Sequence, residues 1–330
     1  MVKYIISPRH IGDFFIECIF HASVNKNPSD LIFFVQPGIV GICKQIVLFL
    51  GLNSKVYSIH DQRIKEGDQL VELNPLKRSV PPLIRIIKLT FICRYKGYLI
   101  KSIDCKKDLL HPKYIYTLFQ YFILRFVYKL SLIKTTKQHI FDILIATGSK
   151  FYGVNQKILK NKLIYFRDQF LDTTKKGNDK YSVVIIPEVG SPKEKGLNHS
   201  ELNELIKKYP NCKIAFFKNQ KKDKEEFSFS DKVIHYSSLN DLADILINSR
   251  LVIACDSFPA HLSIFLNRET YIFAPGYDYG RFFPYPEWFI KSDVKVFDRS
   301  LKLNCFNCGG CCRHHYACME WKSVIKDFLL

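Results

Sequence analysis

The sequence predicts an α/β protein of two doubly wound domains, and three observations carry the prediction. Short β-rich runs alternate with longer segments of helical periodicity in the first half of the chain. The same alternation is regular throughout the second half, from Ser182 to Ala274. Between the halves, Thr173-Thr174-Lys175-Lys176-Gly177-Asn178-Asp179 is polar, charged and glycine-containing, the composition of an interdomain connection. The expected domains are therefore 1–175 and 176–330, and 330 residues with 47% apolar content suffice for two cores.

In the first half, Val2 to Ser7, Leu31 to Val35, Lys55 to Ile59 and Phe141 to Ala146 read as strands, being short and rich in β-branched and aromatic residues. Ile11 to Val24 and Ile39 to Leu50 read as helices. Strand-helix-strand alternation implies parallel pairing, because a parallel neighbour is reached only through a crossover, usually helical. Pro81 to Tyr98 and Tyr114 to Leu132 are apolar-basic segments that also read as helices. The second, with Arg125 and Lys129 among Tyr, Phe and Leu, fits a helix buried on the sheet and also one lying on a membrane surface.

In the second half, Ser182 to Pro187, Lys213 to Phe217, Val233 to Tyr236, Leu251 to Cys255 and Thr270 to Ala274 read as strands. The helices between them are Ser200 to Lys208, Leu239 to Asn248 and Pro259 to Leu266. In such a unit a nucleotide belongs in the crevice beyond the carboxyl ends of the strands, so the polar residues there are the candidates for function.

The net charge of +18 favours anionic partners such as nucleotide diphosphates, acidic glycans, nucleic acid or an anionic membrane face, although the lysines are scattered as they would be on solvated faces. The run Met1 to Ser7 meets Arg9 and Asp13 before a signal-peptide core can form, and no window reaches the length of an uncharged spanning helix. The expected location is cytoplasmic, with peripheral contact at the inner face of the membrane as an extension. The eleven cysteines are then expected as free thiols or metal ligands rather than disulfides.

Two segments could carry chemistry. The loop Pro187-Glu188-Val189-Gly190-Ser191-Pro192-Lys193-Glu194-Lys195-Gly196 joins a strand to a helix; backbone N–H groups, the Ser191 hydroxyl and the Lys193 or Lys195 ammonium suit a diphosphate there. An ordinary βα turn would have the same composition. In Val252-Ile253-Ala254-Cys255-Asp256-Ser257-Phe258-Pro259-Ala260-His261-Leu262 an apolar strand ends in Asp-Ser and a helix follows with Pro in its first turn. Asp256 or Ser257 can cap that helix, and the same geometry sets both at the sheet edge facing a ligand, with His261 one turn on.

These residues resemble glycosyltransferase family nine, the ADP-heptose:lipopolysaccharide heptosyltransferases. Cys255-Asp256-Ser257-Phe258-Pro259-Ala260-His261-Leu262 is the strongest match, with Ser238 to Leu246 and Pro187 to Lys195 agreeing in order and spacing. The resemblance implies the GT-B architecture, two Rossmann-like domains facing a central cleft, and an inverting transfer. The donor, ADP-heptose in the first instance, would be held by Ser191, Lys193 or Lys195, Asp256, Ser257, Phe258 and His261, and the acceptor would be a surface glycan or a protein. Ile11-Gly12-Asp13-Phe14 resembles the family's N-terminal signature, which makes Asp13 the general base, with Arg9 and His10 near an anionic acceptor. Read from its residues alone, Asp13 is instead an N-cap. Phe258 departs from the small residue usual after Asp-Ser, and Glu188 and Val189 stand where small residues are common.

Near the C-terminus, Cys305, Cys308, Cys311, Cys312 and Cys318 lie within fourteen residues together with His314 and His315. Close CxxC spacing suits structural zinc or an iron centre, and unligated thiols under a last helix, Met319 to Leu330, are the alternative. Transfer itself needs no cofactor in the resembled family, though some of its members carry iron in similar tails. A protein of another class, a basic nucleic-acid-binding or scaffold chain with a zinc-knuckle-like tail, would use the charge and the cysteines but leave Asp256 to His261 unexplained. No nucleic-acid partner is therefore expected.

Overall fold

The structure, a computed structural model, describes residues 3–6, 10–25, 27, 30–58, 69–72, 94–102, 131–135, 139–174, 177–189, 196–218, 230–274, 283–297 and 328. The chain forms two compact units, Met1–Phe166 and Arg167–Leu330. The division falls inside a helix, ahead of the polar run 173–179.

The first unit contains β1 (Lys3–Ile6), α1 (Ile11–Val24), β2 (Leu31–Val35), α2 (Val40–Phe49), β3 (Lys55–Ser58), β4 (Gln69–Glu72), β5 (Arg94–Ser102), β6 (Ser131–Thr135) and α3 (Ile140–Tyr152). The helix α4 (Gln156–Thr173) runs across the division. All pairings are parallel and the sheet order is β3-β2-β1-β4-β5-β6, the order of a dinucleotide-binding sheet. Its core is aromatic, with Phe14, Phe15, Phe20, Phe33, Phe34 and Phe141 among the largest fully buried side chains.

The run Phe141 to Ala146 is helical, not a strand. A short apolar run is compatible with either state, and here the caps and length decide it. The His139 ring accepts from the Phe141 N–H, and the helix continues to Gly153, whose φ of 65° ends it in the left-handed region that glycine tolerates. Gly148 lets α3 approach α1 closely, since a Cβ there would fall on the Phe20 ring. The two helices are also tied at their ends: Tyr152 Oη lies 2.8 Å from His21 Nδ1 and accepts from Asn25 Nδ2 at 3.2 Å. The helix expected over Pro81 to Tyr98 is a strand where it is described, from Arg94 on, because Arg94–Gly97 and Tyr98–Ser102 find parallel partners in β4 and β6. Of Tyr114 to Leu132 only Ser131 and Leu132 are described, and they belong to β6. The rest of both segments lies outside the described residues.

The second unit contains β7 (Tyr181–Ile186), α5 (His199–Lys208), β8 (Cys212–Phe217), β9 (Val233–Tyr236), α6 (Leu239–Ile247), β10 (Ser249–Cys255), α7 (Phe258–Phe265), β11 (Glu269–Phe273) and β12 (Val294–Phe297). Its sheet, again parallel, has the order β12-β11-β10-β7-β8-β9, the same winding as the first. Burial along β7 and β10 is nearly continuous, as expected for strands covered on both faces. Capping boxes start α5 (Asn198 with Glu201) and α6 (Ser238 with Asp241). Phe328 joins the core, its ring 4.7 Å from Phe297 and 5.6 Å from Phe273. Among the described residues, no helix is long and apolar enough to cross a membrane, and Cys18, Cys43, Cys212 and Cys255 are buried.

Candidate functional site

In the second unit the winding reverses between β7 and β10, which pair directly, Ala254 opposite Ile186. The loops leaving these two strands therefore meet at the switch point, where doubly wound sheets bind ligands. Cys255 Sγ contacts the Pro187 carbonyl at 3.5 Å, and the Leu197 N–H donates to the same oxygen at 3.1 Å, so both ends of the loop after β7 are fastened there. Ser191, Lys193 and Lys195, on that loop, lie outside the described residues.

The flanks of the loop account for its two departures from small residues. Glu188 accepts from the Phe217 N–H at 3.1 Å and so satisfies the end of β8, while Val189 packs against the core under α5. The two helix starts near the switch point differ in charge. Glu201, buried in the first turn of α5, sets its carboxylate 2.7 Å from the Asn198 N–H, so that helix carries its own anion. The first turn of α7 has no acidic residue, and Ser257 at its N-cap makes no side-chain cap, its hydroxyl donating instead to the Cys255 carbonyl at 3.1 Å. Of the two, α7 is the start suited to an external anion.

Asp256 is half-buried, and its N–H donates to the Phe273 carbonyl at 3.0 Å, which locks the turn onto β11. Phe258 is also half-buried. His261 lies deeper, 3% exposed, with its ring stacked on Phe283 at 4.8 Å and Nδ1 2.9 Å from Tyr285 Oη. Burial pushes the Tyr285 phenol well above its ordinary pKa, so it remains a neutral hydroxyl.

In the first unit β1 lies between β2 and β4, and α1 follows its carboxyl end. The N-cap of α1 is His10, which is exposed, and Asp13 is the third helical residue rather than the cap. The chain enters the helix three residues earlier than a Gly-Asp start signal suggests. Asp13 is 4% exposed and begins a buried polar column that continues one and two turns on with Glu17 and His21. Arg9 lies outside the described residues, as do the five cysteines from Cys305 to Cys318.

No family model matches the sequence, and no curated protein matches it either. Solved structures match along nearly the whole chain, among them two of one protein. One is E. coli heptosyltransferase WaaC with ADP, 14% identical, TM-score 0.55, covering 90% of this chain and 93% of that one. The other is E. coli WaaC with ADP-2-deoxy-2-fluoro heptose, 13% identical, TM-score 0.55, covering 90% and 92%. This chain has the heptosyltransferase fold.

Within the heptosyltransferase fold, sequence reasoning passed over one charged cluster at the start of the second unit. Arg167, 2% exposed, forms two hydrogen bonds to Asp168 Oδ1, and its guanidinium lies 5.2 Å from the Phe289 ring centroid. Lys291 reaches the same carboxylate oxygen at 2.9 Å. Burial opposes ionisation of Asp168, but the hydrogen bonds from Lys291 and Arg167 outweigh it and hold the carboxyl below its ordinary value. No sequence signal reveals this, because Arg-Asp in a helix usually marks a solvated face.

A depressed native pKa stabilises the fold above the unfolded carboxylate value, near 3.9, and the contribution disappears as pH falls toward the lowered native value. Asp168→Ala, which leaves a buried guanidinium without its carboxylate, is expected to cost about 1–3 kcal/mol at pH 7 and clearly less at about pH 3. Urea unfolding at the two pH values checks this; equal losses at both would remove Asp168 from that role.

Proposed function

We propose that the chain is an inverting glycosyltransferase that moves a heptose from ADP-heptose to a surface glycan or protein acceptor, with Asp13 as general base. The observation that carries the reading is the Asp256-Ser257 turn, set at the switch point ahead of a helix whose first turn has no acidic residue. A diphosphate there receives the partial positive charge of α7 as its leaving-group charge develops. Support comes also from the likeness in fold to a heptosyltransferase whose solved structures carry ADP and an ADP-heptose analogue. In the reaction the acceptor hydroxyl gives its proton to Asp13, its oxygen bonds to the anomeric carbon from one face, and the diphosphate departs from the other.

The test is thermal unfolding of the full chain across a panel of nucleotide sugars. A specific donor at a hundred times its dissociation constant adds about 2.7 kcal/mol to stability. ADP-heptose is expected to raise the melting temperature more than UDP- or GDP-sugars, and Asp256→Ala to abolish the rise. A panel without any stabilising nucleotide sugar would overturn the reading.

A further inference from the structure

The aromatic segment between β11 and β12 is fastened to the second unit by two unlike kinds of contact. At its front, Phe283 stacks on the His261 ring at 4.8 Å and Tyr285 Oη lies 2.9 Å from His261 Nδ1, so these rings cover α7 one turn from its start. At its back, the Phe289 ring centroid lies 5.2 Å from the Arg167 guanidinium, and Lys291 Nζ donates to Asp168 Oδ1 at 2.9 Å. That same oxygen accepts both bonds from Arg167. The surroundings are fixed independently of the segment. Phe170 of α4 packs on Phe265 of α7 at 4.9 Å, while Ser292 Oγ donates to the Arg268 carbonyl and the Thr270 N–H to the Asp293 carbonyl. Lys291 is therefore the last residue before the chain is tied to the sheet again.

We infer that Arg167, Asp168 and Lys291 form a latch that holds residues 283–291 over α7, and that this segment lifts as a unit, uncovering His261, while the sheet of the second unit stays folded. The inference is independent of the transferase reading. Two features make the latch weak. The Lys291 and Asp168 side chains are 48% and 33% exposed, and an ion pair so open to water is screened by salt. Arg167, by contrast, is 2% exposed, and its Nη1 is buried without a hydrogen-bond partner among the described residues. A buried donor left unpaired favours the state in which water can reach it. Lifting Phe289 from the guanidinium produces that state. Closure thus depends on one carboxylate oxygen and on ring packing, while opening hydrates a cation, the balance expected of a segment that opens locally.

The test is amide hydrogen exchange of the full chain, read by mass spectrometry on fragments covering 283–291, β7 and β10. The wild-type segment is expected to be less protected than either strand. Raising sodium chloride from about 0.05 M to about 0.5 M should speed its exchange, because screening weakens the ion pair and leaves ring packing intact. Lys291→Met should speed the segment roughly two- to fivefold, and Lys291→Arg should keep the wild-type rate. Asp168→Asn, which weakens all three bonds to the carboxylate, should speed it about tenfold or more. Lys295→Met, which breaks a pair with Asp293 outside the segment, should leave its exchange unchanged. A segment as protected as β7 and β10 overturns the inference, and so does exchange that neither salt nor Lys291→Met alters. Both of these outcomes can be read even if Asp168→Asn does not fold.

Discussion

Asp13→Asn is expected to lower kcat for sugar transfer by roughly a hundred- to ten-thousand-fold, the usual contribution of a general base, while donor binding persists. The substitution keeps the shape of the side chain, so it removes proton acceptance without opening a cavity. Asp13 is 4% exposed in the first turn of α1, and the lost favourable interaction with that helix start should cost up to about 2 kcal/mol of stability. A large loss of rate with a small loss of stability therefore distinguishes a base from a structural carboxylate. Single-turnover transfer with saturating donor is the measurement; a variant that transfers sugar at the wild-type rate would remove Asp13 from the chemistry.

Phe273→Ala should destabilise the second unit by about 3–5 kcal/mol, the cost of emptying a buried aromatic site. The ring is fully buried at the end of β11, in a triangle with Phe297 and Phe328, both 5.6 Å away. For a unit of this size the loss corresponds to a melting temperature lower by on the order of 10 °C. The same residue's carbonyl accepts from the Asp256 N–H, so the variant should also weaken ADP binding as the turn loosens. Calorimetry and an ADP titration on the same preparation read both effects. A destabilisation below about 1 kcal/mol would be incompatible with a ring at the centre of this core.

The elements that the sequence located best are those whose ends carry their own chemistry. α1 matches its expected span, Ile11 to Val24, and α5 and α6 begin at capping boxes that are visible as Asn198-x-x-Glu201 and Ser238-x-x-Asp241. The Asp256-Ser257 turn was legible for a similar reason: an apolar strand, a polar pair and a proline in the next turn describe a strand-to-helix passage unaided. Phe141 to Ala146 reads as a strand because five apolar residues around Asp142 have no period that separates strand from helix. Val294–Phe297 and α4 were missed, the first for its brevity and the second because charged residues interrupt its apolar positions. His261 was legible as a residue one turn into the helix after the Asp-Ser pair, but its engagement with Tyr285, twenty-four positions on, was not.

By itself, then, the sequence determined the local passages: the alternation of strands and helices, the caps, and the Asp-Ser turn ahead of a helix without an acidic first turn. These depend on neighbours a few residues apart. The tertiary structure alone decided the strand order, and therefore that the ends of β7 and β10 meet, that Glu188 closes β8, and that Arg167 and Lys291 gather around the Asp168 carboxylate. A parallel strand is chosen by long-range pairing and by the crossover that delivers it, and hydrophobic periodicity reports which residues are buried but not against what.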